Sequence, residues 1–124
     1  MTEKQEKIVY ICTVGPENPE KAHIPIALAN AALAMDMQPM IVLQGNGVYL
    51  GTKGYLEHVP PGGGFPPIKD MMKDFLELGG QLKVCSPCIK ERNIDISELI
   101  DGAEIMAAAE LNIKAIEADA LFVY

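Results

Sequence analysis

Short β-branched runs alternate with longer segments of helical period along the chain, and that alternation limits the fold more than any other feature. KIVYICTVG (Lys7–Gly15), QPMIVLQG (Gln38–Gly45), QLKVC (Gln81–Cys85), AEIM (Ala103–Met106) and ALFVY (Ala120–Tyr124) read as strands. The first two are continuously apolar, as strands covered on both faces of a parallel sheet are. Between the first two, Asn18 can cap a helix with Pro19 at its first position, and Ile24, Leu28, Ala31 and Met35 then fall on one stripe. Pro25 predicts a kink there, or a start near Ile24. Val48–Val59 reads as a weak helix diluted by Gly51 and Gly54, and PPGGGFPP (Pro60–Pro67) as a loop. Pro67 opens the clearest helix, with Ile68, Met71, Met72, Phe75 and Leu76 on its apolar face and Gly79-Gly80 at its end. Met71 and Met72 also suit a subunit interface. SPCIKERN is a short helix with Ser86 as cap and Pro87 first; Asp95–Gly102 is a turn or short helix. A last helix carries Ala108, Leu111, Ala115 and Ala118 on one side.

Strand–helix alternation of this kind means α/β with a parallel sheet and right-handed crossovers. Five strands in 124 residues fit one doubly wound domain, 1–124. Ligands of such sheets sit at the carboxyl ends of the strands. Thr13–Asn18, Gln44–Val48 and Cys85–Cys88 are therefore expected to converge, with Cys12 just below them.

Composition removes several classes of function. Seventeen acidic against ten basic residues give a net charge of −7 with no basic run, which argues against nucleic acid and against an anionic membrane surface. The amino-terminal segment has no secretory signal pattern, and no uncharged stretch reaches the roughly 20 apolar residues of a spanning helix. A cytoplasmic protein is expected, with its three cysteines kept as thiols. No nucleotide, P-loop or Gly-x-Ser-x-Gly motif is present, and no cofactor is expected.

Cys85 and Cys88 form a C-x-x-C pair at a strand–helix junction. Free amides at the start of a helix favour a thiolate, so either thiol is expected to be more acidic than a free one. Lys90 and Arg92 complement the other end of the short helix. Four readings of the pair stand side by side. Zinc wants four ligands, and Cys12, His23 and His58 are scattered without ligand spacing. A dithiol–disulfide centre has the right local chemistry, although the helix after it is short. A sulfur-carrying thiol is the third reading, and buried filler the fourth. Cys12, inside an apolar strand, reads as filler, and His23 and His58 as surface or half-buried helix residues.

TVGPENPEKAHIPIALANAALAMDM, VLQGNGVYLGTKGYLEHV, FPPIKDMMKDFLELGGQLKVCSPCIKERNI and DGAEIMAAAEL together resemble the DsrE/DsrF-like family, which includes sulfur-relay proteins of the TusD type. The resemblance runs from Lys7 to Tyr124. It implies a three-layer flavodoxin-like sandwich with a five-stranded, mostly parallel sheet and helices on both faces. It also implies homo-oligomers, trimers or hexamers, and sulfur donor and acceptor proteins as partners. By position, the sulfur-accepting cysteine is Cys85. Cys88 is an added thiol, placed to resolve a persulfide on Cys85 by expelling sulfide. Cys12, Asn18, Asn46 and Ser86 are expected to line the pocket.

Overall fold

The computed structural model describes residues 4–124. In chain order the elements are β1 (Lys7–Cys12), α1 (Pro19–Ala34), β2 (Gln38–Leu43), α2 (Ile68–Glu77), β3 (Gln81–Cys85), α3 (Ser86–Glu91), β4 (Ala103–Met106), α4 (Ala108–Glu117) and β5 (Ala120–Val123). Short 3-10 segments at Gly45–Gly51 and Leu56–His58 replace the weak helix expected over Val48–Val59. The backbone takes positive φ at Gly45 and Gly54, which a regular α-helix cannot absorb.

The five strands form one sheet in the order β4-β3-β2-β1-β5, and every neighbouring pair is parallel. That order explains the layers. From β1 through β4 the chain steps in one direction, and crossovers of one hand keep the intervening helices on one face. There Ile41, Leu43, Leu82 and Val84 meet Ile26, Met72 and Phe75, with Ile89 of α3 in the same cluster. The return from β4 to β5 reverses direction, so α4 lies on the other face, where Leu111 and Ala118 cover Val9, Ile11, Met40, Val42 and Met106. This second layer is thin: α4 buries no residue fully, and all four residues of β5 are exposed. Lys83, on the α4 side of β3, is held by Glu104 and Glu110 at 3.3 and 3.7 Å.

α1 begins at Pro19, with the Asn18 side chain accepting from the Lys21 amide, and runs unbroken through Pro25. Its buried face is not the expected stripe. Ala22, Pro25, Ile26, Ala29 and Ala32 face the core, whereas Leu28 and Met35 are exposed. The helix is apolar nearly all round, so periodicity selects no face. α2 has the expected face, and Met71 and Met72 lie in the core rather than at an interface. His23 is wholly buried, with Nδ1 2.5 Å from the Pro19 carbonyl and its ring stacked on Phe65 of the Pro/Gly loop.

Candidate functional site

β3 ends at Cys85, and α3 starts one residue earlier than expected. Cys85 itself occupies the cap position, Ser86 and Pro87 follow in the first turn, and Cys88 is the third helical residue. The two sulfurs stand 2.6 Å apart, well inside van der Waals contact, and both residues are half-buried. Around them the three expected segments do converge. The Gly45 amide donates to Cys88 Sγ at 3.3 Å. Arg92 folds back from the end of α3, donating from Nε and Nη2 to Asn46 Oδ1 at 3.2 and 3.0 Å and from Nη1 to the Cys88 carbonyl at 3.1 Å.

The loops after β1 and β2 interlock through glycine. A Cβ on Gly15 would stand 2.2 Å from the Asn46 carbonyl oxygen, and one on Gly47 2.2 Å from that of Cys12. Only a residue without a side chain lets these backbones approach so closely. The interlock seats the Gly45–Gly51 segment against β1 and so aims the Gly45 amide at Cys88.

The Cys85 thiol is not acidified in the way the helix start suggests. The Cys85 thiol is pushed up from its ordinary value, chiefly by burial and next by its hydrogen bond with Cys88; the Cys88 amide and Arg92 pull the other way and do not prevail. α3 is only six residues long, so its dipole is weak. Cys12 is wholly buried, its thiol bonded to the Val14 carbonyl at 3.3 Å and pushed up by burial to about 11.

A cavity of about 290 Å³ opens at the carboxyl ends of β2, β3 and β4, walled by Val42, Gln44, Cys85, Pro87, Met106, Ala107, Ala108, Leu111 and Asn112. Its place follows from the topology. The chain leaves β3 toward one face and β4 toward the other, and adjacent strands whose successors part in this way open a crevice between them. None of the four residues expected to line a pocket is among these walls. Cys12 is in the core, Asn18 is an exposed helix cap, Asn46 holds Arg92, and Ser86 lies in the first turn of α3. The loop after β2 gives Gln44 to the crevice wall, and Val48 and Leu50 beyond it enter the core on the α1 face. A larger depression, about 450 Å³, lies at the opposite ends of the strands around Lys7, Gln38 and Gln81, with no cysteine in its walls. Cys85 lies in the wall of the smaller cavity.

Sequence reasoning placed Gly45 in a converging segment without its contact to Cys88, and gave Arg92 only a place at the end of α3. The Gly-Asn-Gly run after β2 signalled an unusual backbone there; nothing local signalled the Arg92–Asn46 contact, across 46 residues. Among the described residues no three His, Cys, Asp or Glu side chains group as a metal site requires, and no helix is long and apolar enough to cross a membrane.

An all-parallel sheet wound on both faces, with a thiol pair at the end of its third strand, defines a small α/β protein of flavodoxin-like layout. The chain belongs to the DsrE/DsrF-like family, whose model matches residues 6–124. It is similar to two uncharacterized proteins of Methanocaldococcus jannaschii, MJ0760 and MJ0989, each 33% identical over 105 residues and covering 85% of this chain. The matched region is 38% of the first relative's length and 88% of the second's. Among solved structures, the ychN protein from E. coli superposes with a TM-score of 0.80 at 24% identity, covering 98% of this chain and 100% of that one. MTH1491 of Methanobacterium thermoautotrophicum, a protein of unknown function, does so with a TM-score of 0.68 at 11% identity, with the same coverage. At these identities the two structures speak to the fold.

Proposed function

We propose that this is a small cytoplasmic sulfur-transfer protein that accepts a sulfane sulfur on Cys85 and releases it with the help of Cys88. The observation that carries this is the 2.6 Å approach of the two sulfurs beside an open cavity. The Cys85 thiolate attacks the outer sulfur of a persulfide R–S–SH. The S–S bond of the donor breaks, RS⁻ leaves, and Cys85 carries S–SH. The Cys88 thiolate then attacks Cys85 Sγ and expels hydrosulfide, leaving a Cys85–Cys88 disulfide that a dithiol reductant returns to two thiols. Family membership supports the sulfur chemistry, and donor and acceptor proteins are its expected partners. The same contact favours a second reading, a plain dithiol–disulfide redox protein, in which oxidation of the pair is the whole reaction.

Assembly into trimers or hexamers is part of the proposal. β5 is an edge strand, paired with β1 on one side and with no other strand among the described residues, and every residue of it is exposed; Ile113 and Ile116 on α4 stand out into solvent, Ile116 at 85% exposure. Uncovered apolar edges of this kind are ordinarily shielded by a partner.

Mass spectrometry after incubation with a persulfide donor tests the chemistry. Cys88→Ser is expected to gain one sulfur, Cys85→Ser none, and the wild type to release sulfide while losing both thiols. No adduct on either cysteine refutes sulfur transfer. Loss of two thiols on mild oxidation, without sulfide release from a persulfide, selects the redox reading. Sedimentation of the intact chain as a monomer rejects the assembly.

A further inference from the structure

The cavity beside Cys85 has a composition that restricts what can enter it. None of its nine wall residues is charged. Val42, Pro87, Met106, Ala107, Ala108 and Leu111 give it an apolar surface, and Gln44 and Asn112 supply two neutral amides. Lys83, the lysine on the same side of β3, is already paired with Glu104 and Glu110. An anion entering here would lose its water without meeting a compensating cation, a heavy cost in an apolar setting. The net charge of −7 adds long-range repulsion. A cation would likewise find no carboxylate in the walls. The volume of about 290 Å³ lies at the lower edge of small-molecule sites. It holds about ten water molecules at about 30 Å³ each.

Strand pairing fixes how such a molecule would lie. Cys85 is directly opposite Met106 across the β3–β4 ladder, and Ala107 and Ala108 follow Met106 into the first turn of α4. A molecule that reaches Cys85 through the cavity therefore has Met106, Ala108 and Leu111 as its apolar wall.

We propose that the cavity is the binding site for a low-molecular-weight persulfide with a small apolar R group, taken up in its protonated, uncharged form R–S–SH, whose outer sulfur is delivered to Cys85. This rests on the sulfur-transfer role proposed above and names its donor class. With a persulfide, Cys85–S⁻ and R–S–SH give Cys85–S–SH and RS⁻. Atoms and charge balance.

The test uses the intact chain carrying Cys88→Ser, so that adducts at Cys85 can be read by mass spectrometry. Three methanethiosulfonate reagents are compared: benzyl (neutral), sulfonatoethyl (anionic) and trimethylammonioethyl (cationic), each rate divided by its rate with free cysteine. The benzyl reagent is expected to modify Cys85 at least about tenfold faster than either charged reagent, a difference of about 1.4 kcal/mol in barrier. Ala108→Asp puts a carboxylate in the cavity wall at a helix position that welcomes one. It is expected to remove the advantage over the cationic reagent while the far-ultraviolet spectrum and melting temperature stay those of the parent. A neutral-over-charged preference below tenfold, or one that Ala108→Asp leaves in place, overturns the proposal and points to a protein donor acting at the surface. Failure of persulfide formation with the selectivity intact would instead reject the sulfur-transfer role and leave the binding site standing.

Discussion

Arg92 and Asn46 are joined by two hydrogen bonds to one oxygen: Nε and Nη2 of the arginine both donate to Asn46 Oδ1, at 3.2 and 3.0 Å. The third arm of the guanidinium holds the Cys88 carbonyl. One side chain thus ties the end of α3 to the loop after β2, the loop whose Gly45 amide meets Cys88 Sγ.

Removing that tie is expected to loosen the thiol site more than the fold. Arg92→Ala should cost about 1.5–3 kcal/mol of stability, the range for hydrogen bonds that involve a charged group. Arg92→Lys should recover less than half of it, because an ammonium cannot place two donors on one oxygen in this geometry. A double-mutant cycle with Asn46→Ala in urea unfolding should return a coupling of about 1 kcal/mol. Additive single effects would show that the contact is idle.

Gly47→Ala should be among the most damaging single substitutions in the chain. Its Cβ would lie 2.2 Å from the Cys12 carbonyl oxygen, with backbone on both sides and nothing flexible to move. A loss of about 3 kcal/mol is expected from such overpacking. Gly54→Ala serves as the contrast: that glycine has φ of +87° but open space around it. It should lose only about 1 kcal/mol, from backbone strain alone. Equal losses in the two variants would remove the interlock from the explanation.

Alkylation of Cys85 should follow a pH profile with its midpoint above the ordinary thiol value of 9.0, since burial and the Cys88 hydrogen bond both disfavour its thiolate. In Cys88→Ala the contributions of the partner thiol disappear while burial remains, so the midpoint should fall relative to the wild type. Iodoacetamide rates at Cys85, read by mass spectrometry across the alkaline range, decide this. A wild-type midpoint below 9.0 would contradict the geometry.

Cys12 makes stability depend on alkaline pH. Its folded-state value of about 11 lies above the ordinary 9.0, so the folded chain holds this proton more tightly than the unfolded chain. That contribution is fully present below pH 9.0 and is lost as pH rises toward about 11. The total is on the order of 2–3 kcal/mol. Tyr10 is also pushed up by burial, so the wild-type slope is shared. The difference between wild-type and Cys12→Ala denaturation curves isolates the cysteine, and Cys12→Ala should show the shallower decline. Parallel curves would place the alkaline loss elsewhere.

The strands, the long helices and the thiol pair at a strand's end were legible because each is written in a few adjacent residues. The alternation of apolar runs, Asn18-Pro19 before α1 and Gly79-Gly80 after α2 are local signals, and local backbone chemistry obeys them. The buried face of α1 was not legible, because a helix apolar on nearly every side offers the core several equivalent choices. The lowered acidity of Cys85, the reverse of the expectation, was not either, because burial and the hydrogen bond with Cys88 arise only in the fold and outweigh the Cys88 amide and Arg92.

The sequence by itself determined an α/β chain with two neighbouring thiols where β3 gives way to α3. The tertiary structure alone decided that β4 and β5 flank opposite edges of the sheet, that a cavity therefore opens between β3 and β4, and that Gly45 reaches the Cys88 thiol and Arg92 the Cys88 carbonyl. Strand order and contacts across 46 residues are settled by competition among long-range packings, and no local stretch of the chain encodes the outcome of that competition.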